Sequence, residues 1–346
     1  MSQTHTVQKK DQGYIDAHRL LAQMQGEVES GFFRLEKYTG NRYTDVIPFF
    51  EQWLETKRNK KPATQALYRN FFKNHIKPFF LEHPIQLHEI QLDTLDMLRA
   101  SLVMAPWSAY LCMQTFKSFM DYAWRSKRID AVPPFPKRGD YQIENRQVKW
   151  LPSDRQMAII EAIPDEHRPI FLFLKYHLRR PAEAIALHKS DYNRFNRSFV
   201  IRRSVSASQV VESTKTGAIH HVPCHSAFIE MVERLMKQNQ DSPYLFTNPL
   251  SRTAGKRYSH KTLAMIWKRA CAAVGESIDM YSGLKHSSMS QYVNEKGLML
   301  PELQAISGHA KLESVLKYAD IGLERVRELM ETPGREQQPE KLRKVK

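Results

Sequence analysis

The sequence predicts a mainly α-helical protein with a small antiparallel β-sheet, divided into two domains. Three observations predict it. Apolar residues recur at helical spacing through most of residues 44–130 and again from residue 153 onward. A proline-dense run, Ala131-Val132-Pro133-Pro134-Phe135-Pro136-Lys137-Arg138-Gly139, interrupts that pattern, and proline stops helices because it lacks an amide hydrogen and fixes its own φ. Short β-type runs replace helical spacing only between residues 198 and 222. At 346 residues the chain is long enough for two cores plus tails.

In order, residues 1–42 read as a polar tail with one short helix over residues 15–25 (Ile15, Leu20, Leu21, Met24). Residues 43–130 read as a bundle of four amphipathic helices. Thr44 caps the first, which carries Ile47, Phe50, Trp53 and Leu54; Thr64 caps the second, with Leu67, Tyr68, Phe71, Phe72 and Ile76. Asp93 and Thr94 start the third, and Trp107 opens a fourth striped by Ala109, Met113, Phe116, Met120 and Ala123. Residues 131–150 form the linker and 151–328 the second domain, where a helix starts at Ser153-Asp154 and a strongly apolar helix covers 169–178. Three β runs follow, at 198–203, 209–213 and 218–222, the last two joined by a tight turn at Thr214-Lys215-Thr216-Gly217. Helices are expected over 261–274, 285–295, 301–306 and 312–318, and residues 329–346 form a charged tail.

Charge narrows the function. Lys and Arg number 52 against 37 Asp and Glu, a net charge of +15, which favours a polyanionic partner, nucleic acid ahead of an anionic membrane. Cys112, Cys224 and Cys271 stand far apart without metal-ligand spacing, so neither a disulfide framework nor a structural zinc is expected. A signal peptide, a membrane-spanning run and a Gly-x-x-x-x-Gly-Lys-Ser/Thr phosphate loop are all missing from the sequence. The expectation is a soluble cytosolic protein that needs no metal or cofactor.

The second domain carries, in order, parts suited to breaking a phosphodiester. Attack on phosphorus builds negative charge, which fixed cations and hydrogen-bond donors can carry. Arg180 follows the apolar helix and has Glu183 three residues on to hold its guanidinium, whose planar fork suits phosphate oxygens. Lys215, in its turn, is a mobile cation able to protonate a leaving sugar oxygen. His309, after Gly308, can donate to a phosphate oxygen. Tyr318 is the candidate nucleophile; a phenol near pKa 10 needs neighbouring cations or a base to react near neutrality.

Arg180-Pro181-Ala182-Glu183 running into Ala186-Leu187-His188-Lys189-Ser190-Asp191, then Lys215, Val222-Pro223, Ile306-Ser307-Gly308-His309 and Tyr318, resemble the tyrosine recombinase (phage integrase) family. The likeness spans roughly residues 44–325. It implies a SAM-like core-binding domain over the helical bundle, a catalytic domain after it, and a C-shaped clamp on duplex DNA. It further implies strand exchange by a tetramer through a 3′-phosphotyrosyl intermediate, with catalytic Arg180, Lys215, Lys285, His309 and Tyr318 and supporting Glu183, Ser282 and His286. The stretch around residues 17–38 is similar to the remnant of a preceding arm-binding region. One signature departs from the pattern. Where the family carries His-x-x-Arg, this chain has Ser282-Gly283-Leu284-Lys285-His286. Lysine keeps the charge but loses the bidentate fork, and serine cannot act as a base near neutrality. His286 points about 100° further round a regular helix and is a doubtful substitute for the histidine.

Expected DNA contacts are Lys57, Arg58, Lys60 and Lys61 in a basic loop, Arg179, and Lys261, Lys268 and Arg269 on one helix. The leading reading is a site-specific, nucleoid-associated recombinase that integrates or excises a mobile element or phage. A second stays open: a DNA-binding architectural or regulatory protein of the same fold, its catalysis weakened by Ser282 and Lys285.

Overall fold

In the computed structural model, residues 12–33, 45–144, 148–252 and 255–318 are described, with residues 327, 330 and 331. They belong to two compact units, residues 1–144 and 145–346. The expectations for the extreme N-terminus, for Thr44 as a cap and for most of the charged tail over residues 329–346 lie outside the described residues.

The first unit opens with α1 (Gln12–Glu29), longer than the spacing predicts and with no buried side chain. Its bundle comprises α2 (Val46–Glu55), α3 (Pro62–Phe71), a wider π turn (Phe72–Ile76), α4 (Lys77–Glu82), α5 (Leu92–Ser101) and α6 (Pro106–Arg125). α3 starts at Pro62 rather than at Thr64, and α6 likewise begins on Pro106. Proline suits the first helical position, where its missing N–H would have no partner and its φ is already helical. The apolar stripes meet in an aromatic core: Phe50 stacks on Phe72 at 4.7 Å, and Trp53, Phe116 and Phe119 surround them, fully buried. The proline-dense stretch expected to be a linker packs on this core instead. Tyr141 is buried and Val132, Phe135 and Ile143 lie against the cluster, because its apolar residues gain more by burial than by spanning open solvent.

The second unit contains α7 (Ser153–Glu161), α8 (Arg168–His177) and α9 (Pro181–Ile185). Next come β1 (Tyr192–Asn193), β2 (Ser198–Ile201), β3 (Ser204–Ser206), β4 (Gln209–Val211) and β5 (His220–Pro223). They are followed by α10 (Ile229–Lys237), α11 (His260–Ala273), α12 (Ser287–Asn294), α13 (Leu300–Ser307) and α14 (Glu313–Leu316). The strand pairing differs from expectation. β4 pairs with β3, not with β5, and β5 closes a three-stranded antiparallel sheet in the order β1-β2-β5. The tight hairpin sits at Ala207 and Ser208, both at positive φ (45° and 65°), as a turn matched to strand twist requires. The β-type run ends at Ile201 because Arg202 and Arg203 leave it to reach the buried carboxylate of Asp191, at 3.0 and 2.6 Å. Lys215 therefore rides a connection between two sheets rather than a hairpin tip.

Two features of this unit position the site. The main core, built on Phe171, Phe173, Phe199, Phe228 and Trp267, holds α8 and α11. A smaller cluster of Leu178, Met289, Leu303 and Val315 seats Tyr318. Between helices lies a buried polar brace: Lys175 Nζ donates to Gln156 Oε1 (2.5 Å), and the Gln156 amide donates to the carbonyls of Gly283 (2.9 Å) and Leu284 (3.1 Å). A buried amide must be satisfied, so this brace fixes the backbone that precedes α12. Among the described residues no helix is long and apolar enough to cross a membrane.

Candidate active site

Arg180 reaches its place because α8 stops sharply. Leu178 takes a left-handed conformation (φ 54°), and the chain restarts at Pro181 with Arg180 as the residue before α9. The Glu183 carboxylate, in the first turn of α9, accepts the Arg180 N–H (3.0 Å) and its Nη1 (2.8 Å). Burial alone would raise that carboxyl, but Arg180 and Lys285 outweigh it and hold it below the usual carboxylate range. The Arg180 guanidinium and the Tyr281 hydroxyl are close enough to be coupled electrostatically. Arg179, expected among the DNA contacts, is a buried brace instead: its guanidinium is occupied by the carbonyls of His177 (2.6 Å) and Ile306 (2.5 Å).

The segment that departs from the family pattern is a π turn, Ser282–His286, leading directly into α12. The Ser287 N–H reaches back to the Ser282 carbonyl, five residues away, so the turn is wider than an α turn. Gly283 allows it: a Cβ there would fall inside contact distance of the Trp267 ring, 2.9 Å from Cε2. Ser282, expected to support catalysis, is held by Asp279, whose carboxylate caps the turn by accepting the Tyr281 and Ser282 N–H groups, each at 3.0 Å. Lys285 is 1% exposed, and its Nζ makes no hydrogen bond among the described residues. Burial first, then the charges of Arg180 and Arg179, push its amine down to about 7.

His286 is better placed than a regular helix would allow. Its Nδ1 lies 2.6 Å from the Tyr318 hydroxyl, while its ring stands edge-on to Tyr281 at 4.8 Å. Burial, then Lys317, lowers the imidazole to about 4, so it is neutral at physiological pH. Tyr318 is buried, and burial pushes its phenol above the usual range although Arg180 pulls the other way. The Lys317 ammonium sits over the Tyr318 ring at 5.0 Å.

His309 follows the left-handed Gly308 (φ 67°), where a side chain would collide with His220 and Arg179. Its Nδ1 is 2.7 Å from Ser307 Oγ. When the serine hydroxyl donates to Nδ1 rather than to the more distant Gln304 carbonyl (3.4 Å), Nε2 carries the hydrogen and can donate to an anion. Burial, then the cations Lys285 and Arg180, lowers this imidazole to about 3. Lys215 is exposed, and its charge, with that of Arg180, helps hold Lys317 below the ordinary lysine range after burial has done most of it. One chain of contacts thus joins Glu183, Arg180, Tyr281, His286 and Tyr318, with Lys285, His309 and Lys317 electrostatically coupled to it.

Residues 149–325 match the phage integrase family, and residues 48–91 match the phage integrase N-terminal SAM-like domain. The chain belongs to the phage integrase family, the tyrosine recombinases. This class of enzymes cuts and rejoins DNA strands. The chain is similar to the tyrosine recombinase XerA of Pyrococcus horikoshii, 25% identical over 292 residues, which cover 83% of this chain and 93% of the relative. The Pyrococcus furiosus XerA is 26% identical over 231 residues, 65% of this chain and 73% of the relative. Among solved structures, a Tn1549 transposon integrase in complex with transposon right end DNA superposes with a TM-score of 0.66 at 13% identity, covering 83% of this chain and 99% of that one. A lambda integrase dimer bound to a core site gives 0.61 at 16% identity, covering 80% and 96%. At these identities the structural likenesses establish the integrase fold.

Of the remaining DNA-contact candidates, Lys261, Lys268 and Arg269 are exposed on α11. Lys57 lies over the Trp53 and Tyr122 rings, Arg58 pairs with Glu55, Lys60 is exposed and Lys61 half-buried at the start of α3. Sequence reasoning missed Tyr281 and Lys317 as site residues. Lys317 carried a signal, being a cation next to the candidate nucleophile; Tyr281 carried none, since its direction depends on the π turn.

Proposed function

We propose that this chain cuts and rejoins duplex DNA with Tyr318 as nucleophile, through a 3′-phosphotyrosyl intermediate. The observation that carries this reading is the continuous contact chain from the Arg180–Glu183 pair through Tyr281 and His286 to the Tyr318 hydroxyl. In this reading Arg180, Lys285 and the Nε2 hydrogen of His309 hold the scissile phosphate, and Lys215 protonates the departing 5′ oxygen. The buried Lys285 amine, without a hydrogen-bond partner among the described residues, supports it, because an anion docked there would complete its surroundings and favour its charged form. The surplus of cations and the exposed Lys261, Lys268 and Arg269 fit phosphate tracking along a duplex. Assembly as a tetramer on paired sites, service to a phage or mobile element, and association with the nucleoid belong to the same reading.

Tyr318→Phe is the test. On a nicked duplex that traps the intermediate, the wild-type chain is expected to form a covalent protein–DNA adduct. The variant should bind the same duplex equally and form none. An adduct with the variant would overturn the choice of nucleophile. Tight binding without any wild-type adduct would favour the architectural or regulatory reading, which Ser282 and Lys285 motivate.

A further inference from the structure

We infer that His286 is the proton acceptor for the Tyr318 nucleophile, replacing in this chain a function that Ser282 cannot supply. The inference rests on the reading above and deepens it. A buried phenol cannot pass its proton to bulk water as it attacks, so a base within hydrogen-bond reach is required. His286 Nδ1, at 2.6 Å, is the hydrogen-bond partner of the Tyr318 hydroxyl among the described residues.

Other candidates are committed elsewhere. The Glu183 carboxylate is bonded to Arg180, and Asp279 accepts from Tyr281 N–H and Ser282 N–H, each at 3.0 Å. His309 is engaged by Ser307. Ser282 points to Asp279 and has no base to offer. Lys285 carries no bond to the phenol.

The position of His286 is built rather than incidental. The π turn advances it to face Tyr318, the Gln156 amide pins the carbonyls of Gly283 and Leu284, and Gly283 lets the turn lie flat on Trp267. The Tyr281 ring stands edge-on to the imidazole at 4.8 Å and the Tyr318 ring is tilted against it at 5.4 Å. Lys317, beside both groups, favours a neutral imidazole before attack and a phenolate during it. In that state Nδ1 presents a lone pair to the phenol hydrogen.

The step balances without any further reagent. A bond forms between the Tyr318 oxygen and phosphorus while the bond from phosphorus to the 5′ oxygen breaks. The phenol proton moves to His286 Nδ1, and the departing oxygen takes a proton from the Lys215 ammonium. In rejoining, the 5′ hydroxyl returns its proton to Lys215 as it attacks, and the imidazolium reprotonates the leaving phenolate.

The test uses the full chain and a nicked duplex chosen from a random-sequence library by binding to that chain. Single-turnover adduct formation is measured for wild type, His286→Asn and His286→Gly, with DNA affinity and thermal unfolding as controls for folding. Asparagine keeps a hydrogen-bonding atom near Nδ1 but no base, so the rate should fall roughly 10²–10⁴-fold with affinity unchanged. Added imidazoles should restore the glycine variant, faster with more basic rings, a dependence that a purely positional role would not produce. A wild-type rate in His286→Asn, or rescue indifferent to ring basicity, would overturn the assignment while leaving Tyr318 as nucleophile. Wild-type protein that forms no adduct would overturn the parent reading and this one together.

Discussion

Lys285 makes the affinity of the site for phosphate depend on pH, and an arginine there would not. In the free protein the amine is lowered to about 7 by burial and by its neighbours Arg180 and Arg179. A phosphate docked against it favours the ammonium and should return it towards its ordinary value near 10. The sign follows from linkage. Above pH 7 the free site has lost a proton that the bound site must take up, so binding weakens as pH rises through that window. For a shift from about 7 to about 10, affinity at pH 8 should be about tenfold lower than at pH 6, or about 1.4 kcal/mol. In the free protein His286 and His309, lowered to about 4 and about 3, do not titrate in this window, and their response to a docked phosphate is shared by the Lys285 variants used for comparison. Lys175, at about 8, is bound inside the protein to Gln156 and is shared by every variant, so it cancels in comparison. The assay is fluorescence anisotropy on a selected duplex from pH 6 to 9 at constant ionic strength, since salt alone moves such affinities steeply. Wild type should show the slope. Lys285→Arg, charged at every pH, and Lys285→Met, charged at none, should both be flat relative to it. Three parallel profiles would refute the reasoning.

Two further outcomes follow from the geometry. Gly283→Ala places a methyl group against Trp267 and Ile278, and should destabilise the second unit by about 1–3 kcal/mol, read as a lower thermal transition with the first unit unaffected. Lys215→Ala should slow adduct formation on an ordinary duplex but not on one whose scissile 5′ oxygen is replaced by sulfur, because a thiolate leaves without protonation; equal slowing on both would remove Lys215 from the acid role.

The helices and the order of site residues were legible because both are written locally. Phe50, Trp53 and Phe116 recur at helical spacing and are fully buried in the structure, and the Arg180 and Glu183 spacing of three residues produces the observed bond. What sequence could not give depended on partners distant in the chain. The β runs were visible, but their pairing turned on Arg202 and Arg203 preferring Asp191 to continued strand. α10 was missed although Ile229, Val232 and Leu235 have helical spacing, because it follows strands and its polar side is unusually charged. Residues 131–143 read as linker from their prolines, yet Phe135 and Tyr141 find an apolar surface that only the folded bundle creates. His286 was weighed on the geometry of a regular α-helix, whereas the π turn that places it beside Tyr318 packs against Trp267 and Gln156, which lie on other helices.

The two departures from the family's His-x-x-Arg pattern make physical sense only when taken together. Arg179, Arg180, Lys285 and Lys317 would crowd one region with positive charge, and Glu183 is the buried carboxylate that opposes them. An arginine at position 285 could not relieve that repulsion, since a guanidinium does not lose its proton. A buried lysine can, by discharging when no phosphate is present and recharging when one arrives. The same field keeps imidazoles neutral in the free site, so that His286 presents a lone pair to the phenol, and the negative charge of a docked phosphate offsets the cations as the proton moves. Moving the base from position 282 to 286 brings it onto the nucleophile itself, while the Ser282 N–H donates to Asp279, which caps the turn that holds His286 there. The geometry thus trades bidentate phosphate recognition for a site whose charge appears with its substrate, and it does so without removing any proton-transfer partner that Tyr318 needs.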